Sequence, residues 1–109
     1  MDQQEYVRKL LDAYRATPGT TGTVRQPDRL LAAQLYQRGV PLTAVENALI
    51  LAATRRLVRP EGAPPPGTIR SLAYFSAVIE EVQQMQISPN YFEYLRRRLA
   101  QTLPPRQTP

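Results

Sequence analysis

The sequence predicts an all-α fold, a small compact bundle of about five helices with a buried third helix at its centre. Apolar residues recur at helical spacing along most of the chain. No stretch shows the alternation of a half-buried strand. Clusters of Gly and Pro cut the chain into five segments of helical length. The chain has 109 residues, of which 42% are hydrophobic, enough for one core.

The first helix is expected from about Gln3 to Ala16, with Val7, Leu10, Leu11 and Tyr14 as its inner stripe. "TPGTTGT" then breaks it and leaves it loosely attached. The second helix starts at Pro27, whose missing N–H costs nothing in a first turn. Asp28 there faces the positive end of the helix dipole, Leu31 and Leu35 point inward, and Gly39 ends the helix. Thr43 and Glu46 have capping-box spacing and mark the start of the third helix. It runs to about Val58, before "PEGAPPPG", and is apolar on nearly every side from Ala48 to Ala53, as a buried helix is. A fourth helix is expected from Ile69 to Gln86, with Thr68 as its N-cap and Leu72, Phe75, Ile79 and Val82 inside. Ser88 caps a fifth, with Pro89 in its first turn and Tyr91, Phe92, Leu95 and Leu99 on its apolar side. The expected organisation is an N-terminal helix and linker over 1–26, a helical core over 27–102 and a disordered tail over 103–109.

The chain contains no Cys and no His. Thiol nucleophiles, imidazole bases and most transition-metal sites are therefore absent. Glu80 and Glu81 are adjacent on a helix and point about 100° apart, a poor arrangement for sharing a substrate. Neither an enzyme nor a bound cofactor or metal is expected. The polar start "MDQQEYVRKLL" lacks a signal-peptide core. No apolar run approaches the roughly 20 residues of a membrane span. A cytoplasmic protein with no membrane partner is expected.

Net charge is +5, with 14 basic and 9 acidic residues. Such an excess suits a polyanion, DNA above all, bound non-specifically through phosphates. Three arginine groups are candidates. Arg55, Arg56 and Arg59 gather at the C-terminal end of the third helix, where they also offset the helix dipole. Arg70 stands at the start of the fourth helix, against the dipole's preference. Arg96, Arg97 and Arg98 fan over about 200° of the fifth helix and are flanked by Tyr91 and Tyr94. Arginines beside tyrosines can neutralise phosphates while the rings stack on unpaired bases. The competing reading of each group is a solvated helix face, with Glu93 pairing to Arg97.

"LYQRGVPLTAVENAL" also fits a helix-turn-helix over 31–49, with Gly39 in the turn and Val40 and Val45 as anchors. The helix after that turn would offer the bases only Ala44, Glu46 and Asn47, and of these Asn47 alone suits adenine. The oily run that follows favours burial over groove reading.

The spacing of Tyr74, Phe75, Val78, Ile79 and Val82, preceded by "LYQRGVPLTAVENALILAA", resembles the C-terminal helical domain of DnaD-type primosomal proteins over about residues 28–84. Val82 stands where that family usually has Trp. The loop from Pro60 to Gly67 is longer than the family pattern, and the family's N-terminal winged-helix domain is expected to be lacking. The resemblance implies DNA binding, contacts with other replication proteins and a role in replication initiation. The chain also resembles short accessory proteins of mobile elements. A module that docks a larger protein or a second copy, without DNA, is the alternative.

Overall fold

The computed structural model describes residues 1–58, 62–64, 66–85 and 89–102. Among these, five α-helices and one 3-10 turn form the all-α bundle the sequence predicts: α1 (Gln3–Ala16), α2 (Gln26–Gln37), α3 (Leu42–Leu57), the 3-10 turn Leu72–Phe75, α4 (Ser76–Gln84) and α5 (Pro89–Thr102). Helix α3 is central. It packs against α1, α4, α5 and the 3-10 turn, whereas α2 lies on α1 and the 3-10 turn. Val45, Ala48, Leu49, Leu51, Ala52 and Ala53 of α3 are all buried. Among the described residues no helix is long and apolar enough to cross a membrane.

Helix α1 is part of the core, not a loose appendage. Tyr6, Leu10, Leu11 and Tyr14 are buried in the same cluster as the α3 residues. The stripe includes Tyr6, and Val7 is only partly buried. The Tyr6 hydroxyl donates to the Val40 carbonyl at 2.8 Å, tying α1 to the α2–α3 turn. Asp2 accepts the Glu5 N–H at 2.8 Å and caps the helix.

The loop after α1 is pinned by backbone pairing. The Ile69 N–H donates to the Gly19 carbonyl at 2.7 Å, and the Thr21 N–H donates to the Ile69 carbonyl at 3.0 Å. This exchange explains why the fourth helix does not begin at Ile69. Its backbone is committed to an extended bridge with Thr20, and helix starts only with the 3-10 turn at Leu72. Thr68 caps nothing.

Asp28 organises that start. It is 2% exposed. One carboxylate oxygen accepts the Arg25 N–H at 2.8 Å and the other the Leu72 N–H at 2.9 Å. One side chain thus satisfies an orphan N–H at the head of α2 and another at the head of the 3-10 turn. Pro27 lies in the first turn of α2, as its fixed φ favours. Gly39 ends the helix at φ +77°, with its N–H on the Tyr36 carbonyl and the Val40 N–H on Leu35.

The start of α3 departs from the capping-box expectation. Pro41 is the N-cap, and its carbonyl takes the Ala44 and Val45 N–H groups. Thr43 therefore sits inside the first turn and is exposed. Ser88, the expected cap of α5, and the tail 103–109 lie outside the described residues.

Tyr14 packs edge-on to Phe75 with centroids 6.1 Å apart, and both are 0% exposed. Burial, with Asp28 nearby, raises the Tyr14 phenol above its ordinary pKa. Among the described residues its hydroxyl has no hydrogen-bond partner. Tyr14→Phe is therefore expected to raise stability by about 1 kcal/mol in urea titration, because it removes a buried polar group that bonds to nothing. A loss of similar size would mean that the hydroxyl is bonded in solution.

Candidate functional site

The C-terminal end of α3, the end of α4 and one side of α5 enclose a cleft of about 530 Å³. It brings together four of the residues singled out from sequence: Arg55, Tyr91, Tyr94 and Arg98. Leu51 and Leu95 form its floor, and Val58 and Met85 its apolar margins. The geometry follows from helical spacing. Phe92, Leu95 and Leu99 are buried against the bundle. That roots α5 and turns Tyr91, Tyr94 and Arg98, spaced at i, i+3 and i+7, along one side. Both tyrosines keep about half their surface in solvent, 45% and 54%. The Arg98 guanidinium lies 6.0 Å from the Tyr94 ring centroid, a cation–π contact.

Arg55 is clamped by Glu81 of α4, with Nη1 to Oε2 at 2.7 Å and Nη2 to Oε1 at 2.5 Å. The hydrogen bond to Arg55 holds the Glu81 carboxyl below its usual range, and its return effect raises Arg55. The pair therefore contributes fully above the ordinary carboxyl range and is lost as pH falls through the depressed Glu81 value. Glu80 is held by a different helix, its Oε1 accepting from Arg38 Nη2. The adjacent carboxylates are thus engaged by separate arginines. Among the described residues no three acidic side chains converge as a metal cradle requires.

The other candidates are dispersed. Arg56 points away from the cleft and acts as a clasp. It donates to the Tyr74 hydroxyl at 3.1 Å and to the Gly67 carbonyl, and it stacks on the Tyr74 ring at 5.6 Å. Its guanidinium crosses Gly19, where a Cβ would meet Nε and Nη2 at 3.3 Å and φ is +92°. Arg56→Ala is expected to cost about 1–3 kcal/mol of stability, by losing hydrogen bonds and ring contact. The salt dependence of any DNA binding should stay as it was. A flatter salt slope at unchanged stability would make Arg56 a phosphate contact instead.

The three arginines of α5 split as the helical fan requires. Arg98 faces the cleft. Arg96 faces a second cleft, shared with Glu46 of α3 and Ala13 and Ala16 of α1, and lies 3.4 Å from Glu93. Arg97 is outward, 3.8 Å from Glu93. Arg70 is exposed in the extended segment before the 3-10 turn, beside the Thr20–Thr21 loop. It does not stand at a helix start, so the dipole argument for it does not hold. Arg59 lies outside the described residues. For the turn at Gly39, Ala44, Glu46 and Asn47 are all partly buried.

No family model, curated protein or solved structure matches the chain.

Sequence reasoning missed Val58 and Met85 as cleft margins, although both are exposed apolar residues at helix ends. It also passed over Arg8, Arg15 and Arg29, which line a groove between α1 and α2. Their spacing of seven along α1, for Arg8 and Arg15, was the available signal, since it places both on one side of the helix.

Proposed function

We propose that the protein is a non-catalytic accessory domain that binds DNA weakly and without sequence preference, holding unpaired bases in the α3–α5 cleft. The observation that carries this reading is the gathering of Tyr91, Tyr94 and Arg98 in one open cleft. Half-exposed rings offer stacking faces to bases, and the guanidinium beside them offers a phosphate contact. The net charge of +5 favours the encounter. The resemblance to the DnaD-type C-terminal domain supports a place in replication initiation; a role in mobile-element function is the broader form of the same reading. The partly buried Asn47 region speaks against base reading at the Gly39 turn. Asn47→Ala should leave any sequence preference unchanged.

The test is anisotropy with a single-stranded oligothymidylate. Tyr91→Ala and Tyr94→Ala should each weaken binding by about 1–3 kcal/mol, the range for one stacked base. Arg98→Gln should flatten the slope of log affinity against log salt by about 0.7. Arg97→Gln, on the outward side, should change it less. Glu81→Gln is the more telling variant. It releases Arg55, so affinity should rise and the salt slope should steepen by up to about 0.7. No binding at low salt, or Tyr91→Ala, Tyr94→Ala, Arg98→Gln and Glu81→Gln variants that all bind like the parent, would sink the DNA reading.

A protein-docking module is the second reading, favoured by exposed Leu57, Val58 and Met85 near the same cleft. An apolar interface there would persist at salt concentrations that dissolve a phosphate-driven complex.

A further inference from the structure

A second groove runs between α1 and α2, remote in composition from the cleft. Its volume is about 750 Å³. Leu11 is buried at its floor, with Val7, Val24 and Ala33 partly buried around it. Arg8, Arg15 and Arg29 stand exposed on its rim against a single acid, Asp12. The Arg8–Asp12 pair spans 3.8 Å between side chains more than half exposed, so it holds Arg8 weakly. Among the described residues neither Arg15 nor Arg29 forms an ion pair. Binding an anion there breaks no strong internal contact.

We propose that this groove docks an acidic amphipathic segment of a partner protein. From Gln4 to Arg15 the α1 wall runs roughly 17 Å at 1.5 Å per residue, about three turns of a helix laid alongside. The apolar floor takes aliphatic anchors, and the guanidinium rim takes carboxylates in fork geometry. Nucleic acid fits worse. The groove has no aromatic residue to stack a base, and an apolar floor gives phosphates and sugars nothing. A second copy of this chain fits worse still, since two molecules of charge +5 repel. The segment "LPPRQTP" has no acidic side chain and one Arg.

The test uses the full chain, labelled with ¹⁵N, and a synthetic helix-forming peptide with Leu on one face and Glu on the flanks. Its controls are the same peptide with Gln or Lys for Glu, and an oligothymidylate. The Glu peptide should shift the amides of Val7, Leu11, Val24 and Ala33. The Arg15→Glu/Arg29→Glu protein should lose affinity for it by at least about tenfold and should gain affinity for the Lys peptide. Arg15→Ala provides a milder variant with an intermediate loss should the double reversal not fold. Tyr91→Ala should leave peptide binding unchanged. The proposal is overturned if the Gln peptide binds as well as the Glu peptide, if the Glu peptide shifts only α5, or if the oligothymidylate is what shifts the α1–α2 amides. Oligothymidylate binding confined to α5, with or without peptide binding, bears on the DNA reading alone.

Discussion

Leu49→Asp or Leu51→Asp is expected to abolish the folded state. Leu49 is 3% exposed and Leu51 5%, on the helix that packs against α1, α4, α5 and the 3-10 turn. Each change removes a packed isobutyl group, worth about 2–5 kcal/mol when truncated. Each also puts a carboxylate among packed apolar side chains, where the loss of its hydration is costly. Even protonated, the new side chain leaves polar atoms unpaired in the core. The sum reaches the whole stability of an ordinary domain, about 5–15 kcal/mol. The readout is the cooperative thermal transition by circular dichroism, which should vanish. A variant melting within a few degrees of the parent would mean that α3 is not the central helix.

Asp28→Ala is expected to be the most damaging polar substitution, at about 2–5 kcal/mol. It strips the acceptor from the Leu72 N–H, which is buried, and from the Arg25 N–H, which is partly so. Each stranded donor costs about 1–3 kcal/mol. Asp28→Asn is not a remedy, because its amide nitrogen would have to face one of the two N–H groups. It should recover part of the loss and no more. Urea titration measures both. Full stability in the Asn variant would show that only one of the two bonds matters.

These two sites differ in how far they could be read from the chain. The burial of α3 is written locally, in an apolar run that leaves no polar face. So is Gly39, because a left-handed cap favours one residue type. Asp28 could be read only as a helix-start residue. Its second bond spans 44 positions, and no local pattern encodes a partner at that distance. The same holds for Glu81, which sits 26 positions from Arg55. The capping-box spacing of Thr43 and Glu46 misled because buried Val40 and the Gly39 cap already fix the chain's direction, so the helix begins at Leu42 without Thr43's hydroxyl. In the cleft, spacing along α5 placed Tyr91, Tyr94 and Arg98 on one side, whereas the neutralisation of Arg55 by α4 needed the tertiary structure. The outcome separates Arg98 from Arg97, and Arg55 from Arg56, which sequence treats as equals.

The two-way exchange between Ile69 and the Gly19–Thr21 loop has a thermodynamic corollary. It stitches the α1–α2 hairpin to the segment leading into α4, so neither half can open without breaking bonds to the other. Melting then reports on one cooperative unit, and any ligand selective for the native state stabilises all of it by RT ln(1 + [L]/Kd), whichever face it occupies. A thermal-shift screen would therefore register occupancy of the α3–α5 cleft and of the α1–α2 groove alike, and two ligands on separate faces would raise the transition additively.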